Sequence, residues 1–183
     1  MAVLGKKVIH PGGRRSTAEM FAMAEFQPEH RVLDVGAGVG TTAIKIARAC
    51  GCEVTAIDID PLMRARALRN VRNANLESKV SVRAGNIQAF DCADAVFDRV
   101  VVEAVTMFVD RKRAAREVVR VCRPGGIVLE PSSFTGNRLH KRSGKFSSAR
   151  SARGPASIQP KIGLKLYQTV GLKSVRAITG RLR

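Results

Sequence analysis

The chain has 183 residues, room for one domain with a closed core plus a short appendage, which excludes a peptide hormone and a repeat array. Its composition, 45% hydrophobic and 26% charged, is that of an ordinary globular protein, yet 32 Lys and Arg face only 15 Asp and Glu, a formal +17. Residues 1–130 hold 20 basic and all 15 acidic side chains, while residues 131–183 hold 12 basic and no acidic ones. The surplus that would suggest a nucleic acid or an anionic membrane as partner therefore belongs mainly to one segment.

No stretch of 18 apolar residues occurs, and Met-Ala-Val-Leu-Gly-Lys-Lys at the start lacks the apolar stretch of a secretory leader. The expectation is a cytoplasmic protein that makes no use of a membrane. Cys50, Cys52, Cys92 and Cys122 do not combine with His10, His30 and His140 at metal-ligand spacings, so no metal site is expected and the thiols read as reduced and mostly buried.

From residue 31 the pattern alternates between short apolar runs and helical periodicity. Arg31-Val-Leu-Asp-Val-Gly36 predicts a strand ending in a tight turn, followed by a helix over 41–50 with Ala43, Ile44, Ala47 and Cys50 on one face. Glu53 to Asp58 predicts the second strand. Asp60 before Pro61 supplies an N-cap and a first helical proline for a helix that carries Leu62, Leu68 and Val71. Val80 to Ala84 alternates as a half-buried strand, and Phe97 to Val102 is rich enough in β-branched residues for a central strand buried on both faces.

A further helix begins near Asp110 with Ala114, Ala115, Val118, Val119 and Cys122 inward, and Pro124-Gly125-Gly126 ends it before a fifth strand at Ile127 to Glu130. Parallel strands joined by helices predict an α/β, Rossmann-like, doubly wound open sheet. Thirteen of the thirty residues 131–160 are Ser, Gly or Pro and six are Lys or Arg, without either periodicity. Order returns near Lys161. Ile162, Leu166 and Val170 have helical spacing, Gly171-Leu172 reads as a stop, and Lys173 to Thr179 predicts one more strand.

The chemistry concentrates at Val32-Leu-Asp-Val-Gly-Ala-Gly-Val-Gly40, where Asp34 precedes Gly36, Gly38 and Gly40 at the carboxyl end of the first strand. Ligands bind at that edge of open α/β sheets, and glycines let a backbone approach them. The dinucleotide fingerprint needs its third glycine three residues after the second, whereas Gly38 and Gly40 are two apart, and no Lys-Ser/Thr pair follows to make a triphosphate loop. Asp34 suits a cationic ligand such as S-adenosylmethionine, with its ammonium and sulfonium groups. Asp58, at the end of the second strand, is placed to accept ribose hydroxyls.

The segments VLDVGAGVGTTAIKIA, VTAIDIDP, AGNIQAF, FDRVVVEAV and RVCRPGGIVL, in this order, resemble the successive motifs of class I S-adenosylmethionine-dependent methyltransferases of the small-molecule, type 11-like branch. The resemblance covers residues 31–130. It implies that Asp34, Gly36, Ala37, Gly38 and Gly40 line the methionine part of the cofactor, and that Asp58 holds the ribose. It also implies Ile59 and Met63 at the adenine face, Asn86 and Ile87 at the adenine edge, and Glu103 with Ala104 near the methyl group. The domain organisation is then an N-terminal substrate-side segment at 1–30, the cofactor-binding core at 31–130, the irregular basic segment at 131–160, and a C-terminal helix and strand at 161–183.

Each residue also has a plainer reading. N-capping explains Asp60 fully, Asn86 suits a turn, Met63 suits core packing, and Arg64, Arg66, Arg69 and Arg72 suit a solvated helix face. His10, in a His-Pro-Gly-Gly turn that resembles the substrate-side segment of such enzymes, is a turn residue or a catalytic candidate; Glu103 is the other candidate general base.

After the fourth strand Glu103-Ala-Val-Thr106 lacks the Asn-Pro-Pro-aromatic signature of planar-amine methylation, and no Pro-Cys pair serves attack on a pyrimidine. The expected acceptor is a small molecule. The alternatives are an RNA methyltransferase with the basic tail as phosphate clamp, for which Phe134, Phe146 and Tyr167 are few stacking residues, and a non-catalytic S-adenosylmethionine-binding module. Residues 131–160 lack the amphipathic helix that the family fold places after its fifth strand, and the question of frame extends over 131–165. Their loss of acids and the recovery at LYQTVGLKSVRAITG point to translation in a shifted frame, with a natural basic insertion as the simpler alternative.

Overall fold

In the computed structural model the described residues are 21, 24–103, 105, 109–130, 167, 169–170 and the backbone of 176–178. Six strands form one sheet: β1 (Arg31–Val35), β2 (Glu53–Asp58), β3 (Val80–Ala84), β4 (Phe97–Val102), β5 (Cys122–Leu129) and β6 (Arg176–Ile178). Their spatial order is β3-β2-β1-β4-β5-β6, and every neighbouring pair is parallel. Parallel pairing requires crossovers, and the described ones are α1 (Thr41–Cys50), α2 (Pro61–Asn73) and α3 (Arg111–Val121). The chain order reverses between β1 and β4, which opens a crevice at their carboxyl ends.

The alternation of side chains along each strand divides the core into two halves. On one face Leu33, Val35, Ile57, Val100, Val102 and Val128 pack with Ala114, Ala115, Val118 and Val121 of α3 and with Tyr167. On the other, Val32, Val54, Ala56, Val101, Ile127 and Leu129 pack with Ala43, Ile46 and Ala47 of α1 and Val71 of α2. Each such Val or Leu contributes roughly 1.5–3 kcal/mol by leaving water. As expected for a central strand, all six residues of β4 are buried, including Asp98 and Arg99.

Local chemistry explains the helix boundaries. Asp60 Oδ1 accepts from the Leu62 amide at 2.8 Å, and Pro61 opens α2. Asp110 Oδ1 caps α3 through the amides of Lys112 and Arg113. Gly40 begins α1 and Gly51 ends it, both in the left-handed region.

Three details differ from the sequence expectation. In α1 the fully buried positions are Thr42, Ala43, Ile46 and Ala47, with Ile44 and Cys50 half-buried, because the helix rests on β2 slightly rotated from the predicted face. In α2 only Ala67 and Val71 are buried, and Leu62 and Leu68 face solvent at 66% and 41% exposure. Pro124-Gly125-Gly126 lies inside β5: Cys122 pairs with Phe97 and Ile127 with Arg99, so the strand bulges between them and Gly125 takes a φ of 77°. A Cβ on Gly126 would come 2.6 Å from the Cys122 sulfur, so the return of the bulge demands glycine there.

Residues 176–178 lie within the predicted last strand, and the helical residues 167 and 169 within the helix expected before it. The expectations for His10, Ala104, Phe134, Phe146 and residues 131–165 fall outside the described residues.

Candidate functional site

The crevice at the carboxyl ends of β1, β2 and β4 is built by a glycine turn folded over the end of β2. The Gly36 and Ala37 amides both donate to the Ile57 carbonyl, at 2.9 and 3.0 Å, and the Gly40 amide closes the turn on Ala37 O at 2.8 Å. Gly36, Gly38 and Gly40 have φ values of 69°, 55° and 79°, a run of left-handed residues that only glycine adopts without strain. Space adds a second constraint at two of them. A Cβ on Gly36 would overlap Val105 Cγ2, and one on Gly40 would sit 3.2 Å from Ala67 Cβ, where α2 packs on the turn. At Gly38 nothing lies within 4 Å, so the turn leaves open room at its apex.

The second acid is tied into this turn. Asp58 Oδ2 accepts from the Gly38 amide and Oδ1 from the Asp60 amide, both at 2.8 Å. Arg64, on the first turn of α2, spends its guanidinium on the carbonyls of Asp58 and Ile59 at 3.0 and 2.9 Å. It thereby fixes the loop rather than projecting freely. Beside it Ile59 is 71% exposed, an apolar side chain left in water at the rim of the crevice, and Met63 is half-buried one turn into the helix.

Asp34 is 1% exposed and accepts from the Ala43 amide, while its Oδ2 has no hydrogen-bond partner. Burial raises its pKa to about 8, and the neighbouring Glu103 and Asp58 carboxylates push in the same direction. Ionising so buried an acid is costly without a compensating charge, so a cation beside it would be favoured. Glu103 follows β4 and is positioned by the Thr42 hydroxyl, which donates to its Oε2 at 3.0 Å.

The structure therefore brings together Asp34, Gly36, Ala37, Gly38, Gly40, Asp58, Ile59, Met63 and Glu103. Asn86 stands at the end of β3 with its side chain exposed, and its Oδ1 accepts from the Gln88 amide at 2.9 Å, as a turn residue does. Ile87 is 4% exposed and packs into the core, so only its backbone is available to the crevice. Its side chain belongs to the same buried cluster as Val35, Ile57 and Phe90.

The sequence reading missed Thr42 and Val105, which set Glu103 and Gly36, and it missed the pair of Glu130 and Tyr167. Tyr167 is the one tyrosine of the chain; it is 1% exposed and its hydroxyl is hydrogen-bonded to Glu130 at the end of β5. Its place within an apolar helical pattern was the available signal for a core role.

An orphaned carboxylate oxygen, a glycine apex with free room and a second carboxylate on the adjacent strand end fit a nucleoside-type ligand carrying positive charge, which S-adenosylmethionine is. No helix among the described residues is long and apolar enough to cross a membrane.

The family described as "Methyltransferase domain" matches residues 33–129. Among curated proteins, the chain is 33% identical over 132 residues to an uncharacterized protein of Haemophilus influenzae, covering 70% of this chain and 53% of that one. It is 34% identical over 124 residues to a glycine/sarcosine/dimethylglycine N-methyltransferase of Actinopolyspora halophila, covering 66% of this chain and 22% of that one. Among solved structures the [4+2]-cyclase SpnF superposes with a TM-score of 0.63 and 26% identity, over 68% of this chain and 51% of that one. The chain spans about half the length, or less, of these relatives.

Proposed function

The chain belongs to the methyltransferase domain family, and we propose that it binds S-adenosylmethionine at the carboxyl edge of β1 and β2 and passes the methyl group to a small-molecule acceptor. One observation carries this reading: Asp34 is buried with an unpartnered Oδ2 directly under a glycine turn that is open at Gly38. A cationic ligand is what such a site favours.

When bound, the cofactor supplies a methyl carbon activated by its sulfonium. The protein's part is alignment and exclusion of water, effects that together lower such barriers by roughly 7–11 kcal/mol. Asp58, each of whose oxygens keeps a lone pair after its amide contact, accepts the ribose hydroxyls. Ile59 covers the adenine face with Met63 behind it, and Asn86 with the Ile87 backbone borders the adenine edge. Asp34 and the glycine turn, Gly36 to Gly40, hold the charged methionine part. Glu103, steadied by Thr42, faces the acceptor and takes its proton where the acceptor carries one.

Support for a small-molecule acceptor comes from the N-methyltransferase relative, whose name specifies glycine, sarcosine and dimethylglycine. A second reading, cofactor binding without methyl transfer, is favoured by the likeness to a [4+2]-cyclase, because one fold hosts different chemistries. The deciding experiment incubates the protein with methyl-labelled S-adenosylmethionine and, separately, a small-metabolite extract or total RNA. Label in the metabolite fraction that depends on Glu103 and Asp58 supports the proposal. Label in RNA alone, or binding with no transfer to either pool, overturns it.

A further inference from the structure

The helix α2 contains four arginines and no acid, and its seat on the sheet divides those arginines. Ala67 and Val71 are its buried side chains, and Arg64 is spent on the carbonyls of Asp58 and Ile59. At about 100° per residue, Leu62, Ala65, Arg66, Arg69 and Arg72 fall on the side away from the sheet, and all five are exposed. Among the described residues Arg66, Arg69 and Arg72 make no ion pair and no side-chain hydrogen bond, in contrast to Arg120 of α3, which Glu117 and Asp94 hold. The neighbouring helix α1, on the same face of the sheet, adds Lys45 and the exposed Arg48 and likewise has no acid.

Single exposed apolar side chains are common on any protein surface. Here the large ones gather. Among the described residues the large hydrophobic side chains left most exposed are Ile59 at 71%, Leu62 at 66% and Leu68 at 41%, and all three lie on α2 or in the loop just before it. Water alone suits the arginines and leaves the leucines unexplained. A nucleic acid also suits the arginines, but α2 carries no aromatic side chain on which a base could stack. A second copy of the same face would set arginine against arginine. An anionic bilayer surface accommodates both kinds of side chain, since its headgroups attract guanidinium groups and its boundary with the hydrocarbon takes up leucines.

We propose that the outer face of α2 docks on an anionic lipid surface, with Arg66, Arg69 and Arg72 on the headgroups and Leu62 and Leu68 entering the headgroup boundary. Contact of this kind is peripheral and needs no spanning helix, and it replaces the sequence expectation that the chain makes no use of a membrane. Leu62 and Leu68 point about 120° apart with arginines between them, so insertion is shallow and the attraction of charges supplies most of the affinity. Binding therefore weakens as salt rises. Because α2 begins beside Ile59 at the rim of the crevice, docking brings that rim towards the headgroups. The proposal does not depend on which ligand the crevice takes.

The test is sedimentation of the full chain with vesicles of phosphatidylcholine alone and of phosphatidylcholine with about one third phosphatidylglycerol, at low and at physiological salt. The expected result is binding to the anionic vesicles only, lowered about fivefold by each of Arg66→Gln, Arg69→Gln and Arg72→Gln, and at least about fivefold by Leu62→Ser combined with Leu68→Ser. All five side chains are exposed, so thermal melts of the variants are expected to match the wild type. Residues 131–183 carry 12 basic side chains that can draw the chain to anionic vesicles by themselves. Binding that is unchanged in the triple arginine variant traces the attraction to them and overturns the proposal. Binding that needs the arginines and ignores the leucines overturns it as well, and arginine-dependent retention of total RNA would then mark the face as a polyanion site. Absence of sedimentation with the anionic vesicles at low salt overturns it outright and leaves the cofactor assignment untouched.

Discussion

The Gly38 amide donates to Asp58 Oδ2 at 2.8 Å, so the apex of the glycine turn after β1 is fastened to the last residue of β2. The two halves of the crevice thus hold each other in place in the absence of ligand, with Asp58 Oδ1 on the Asp60 amide completing the clasp. Preorganisation of this kind lowers the ordering cost of binding.

Asp58→Ala unties both amides, and in the ligand-free protein it costs about 1–3 kcal/mol, read as a lower urea midpoint with an unchanged slope. Asp58→Asn keeps an acceptor for one amide and loses less. Equal midpoints for wild type and Asp58→Ala would mean that the clasp contributes nothing to the free protein.

The two glycines of the turn separate steric from conformational constraint. Gly36→Ala brings a methyl group into Val105 in addition to a φ of 69°, whereas Gly38→Ala meets open space and pays only for a φ of 55°. Thermal melts are expected to place Gly36→Ala well below Gly38→Ala, whose cost stays at about 1–2 kcal/mol. Cofactor affinity is expected to fall in both, since the new methyl of Gly38→Ala occupies the room left for the ligand.

Asp34 contributes a pH dependence to the free fold. Its folded pKa of about 8 lies above the ordinary value of 3.8, so between those values the folded chain binds more protons than the unfolded one. Stability conferred by this group is full below about pH 4 and is lost as pH rises towards 8. Asp34→Asn removes that loss, flattening the stability profile from pH 4 to 8 and raising Tm at pH 8 by about 2–4 °C per kcal/mol recovered. A wild-type profile rising with pH over this window, with the variant parallel to it, would contradict the assignment.

Arg99 anchors the chain that precedes β1. It is 7% exposed in β4, and its guanidinium donates to the carbonyls of Ala24 at 2.5 Å, Glu25 at 3.1 Å and Asp98 at 3.0 Å. Arg99→Ala strands those carbonyls and leaves Asp98 short of positive charge, a loss of about 3 kcal/mol in chemical unfolding. Arg99→Lys does not restore it, because a single ammonium cannot span three carbonyls. Arg123 also pairs with Asp98, at 2.5 Å, but is half exposed, so Arg123→Ala costs about 1 kcal/mol or less.

What was legible in the sequence follows a physical division. Strands buried on both faces announce themselves by runs such as Phe97 to Val102, and caps such as Asp60-Pro61 announce helix starts, because one residue type at one position does the work. Asp34, the three glycines and Asp58 were readable for the same reason. The rotation of α1 that buries Ile46 was not, since it depends on how the helix settles on β2. Nor was the bulge at Arg123 to Gly126, where the glycines reverse the chain inside a strand rather than before it. The burial of the Ile87 side chain beside the exposed Asn86 was not legible either, since both follow one strand end and only the packing separates them. The contacts that set Glu103 and Gly36 come from Thr42 and Val105 across the fold, and no local pattern marks them.

The charge of +17 takes its place in this picture. The part of the chain that builds the crevice has nearly balanced charges, and the crevice itself is acidic. A cationic nucleoside ligand is the partner we propose for such a site.

The most direct test of that claim is calorimetric titration of S-adenosylmethionine into the wild-type chain and into Asp58→Ala. Saturable one-to-one binding by the wild type, weakened at least about tenfold in the variant, equivalent to about 1.4 kcal/mol, is the predicted result. No binding by the wild type, or equal affinity in the two proteins, would contradict the account.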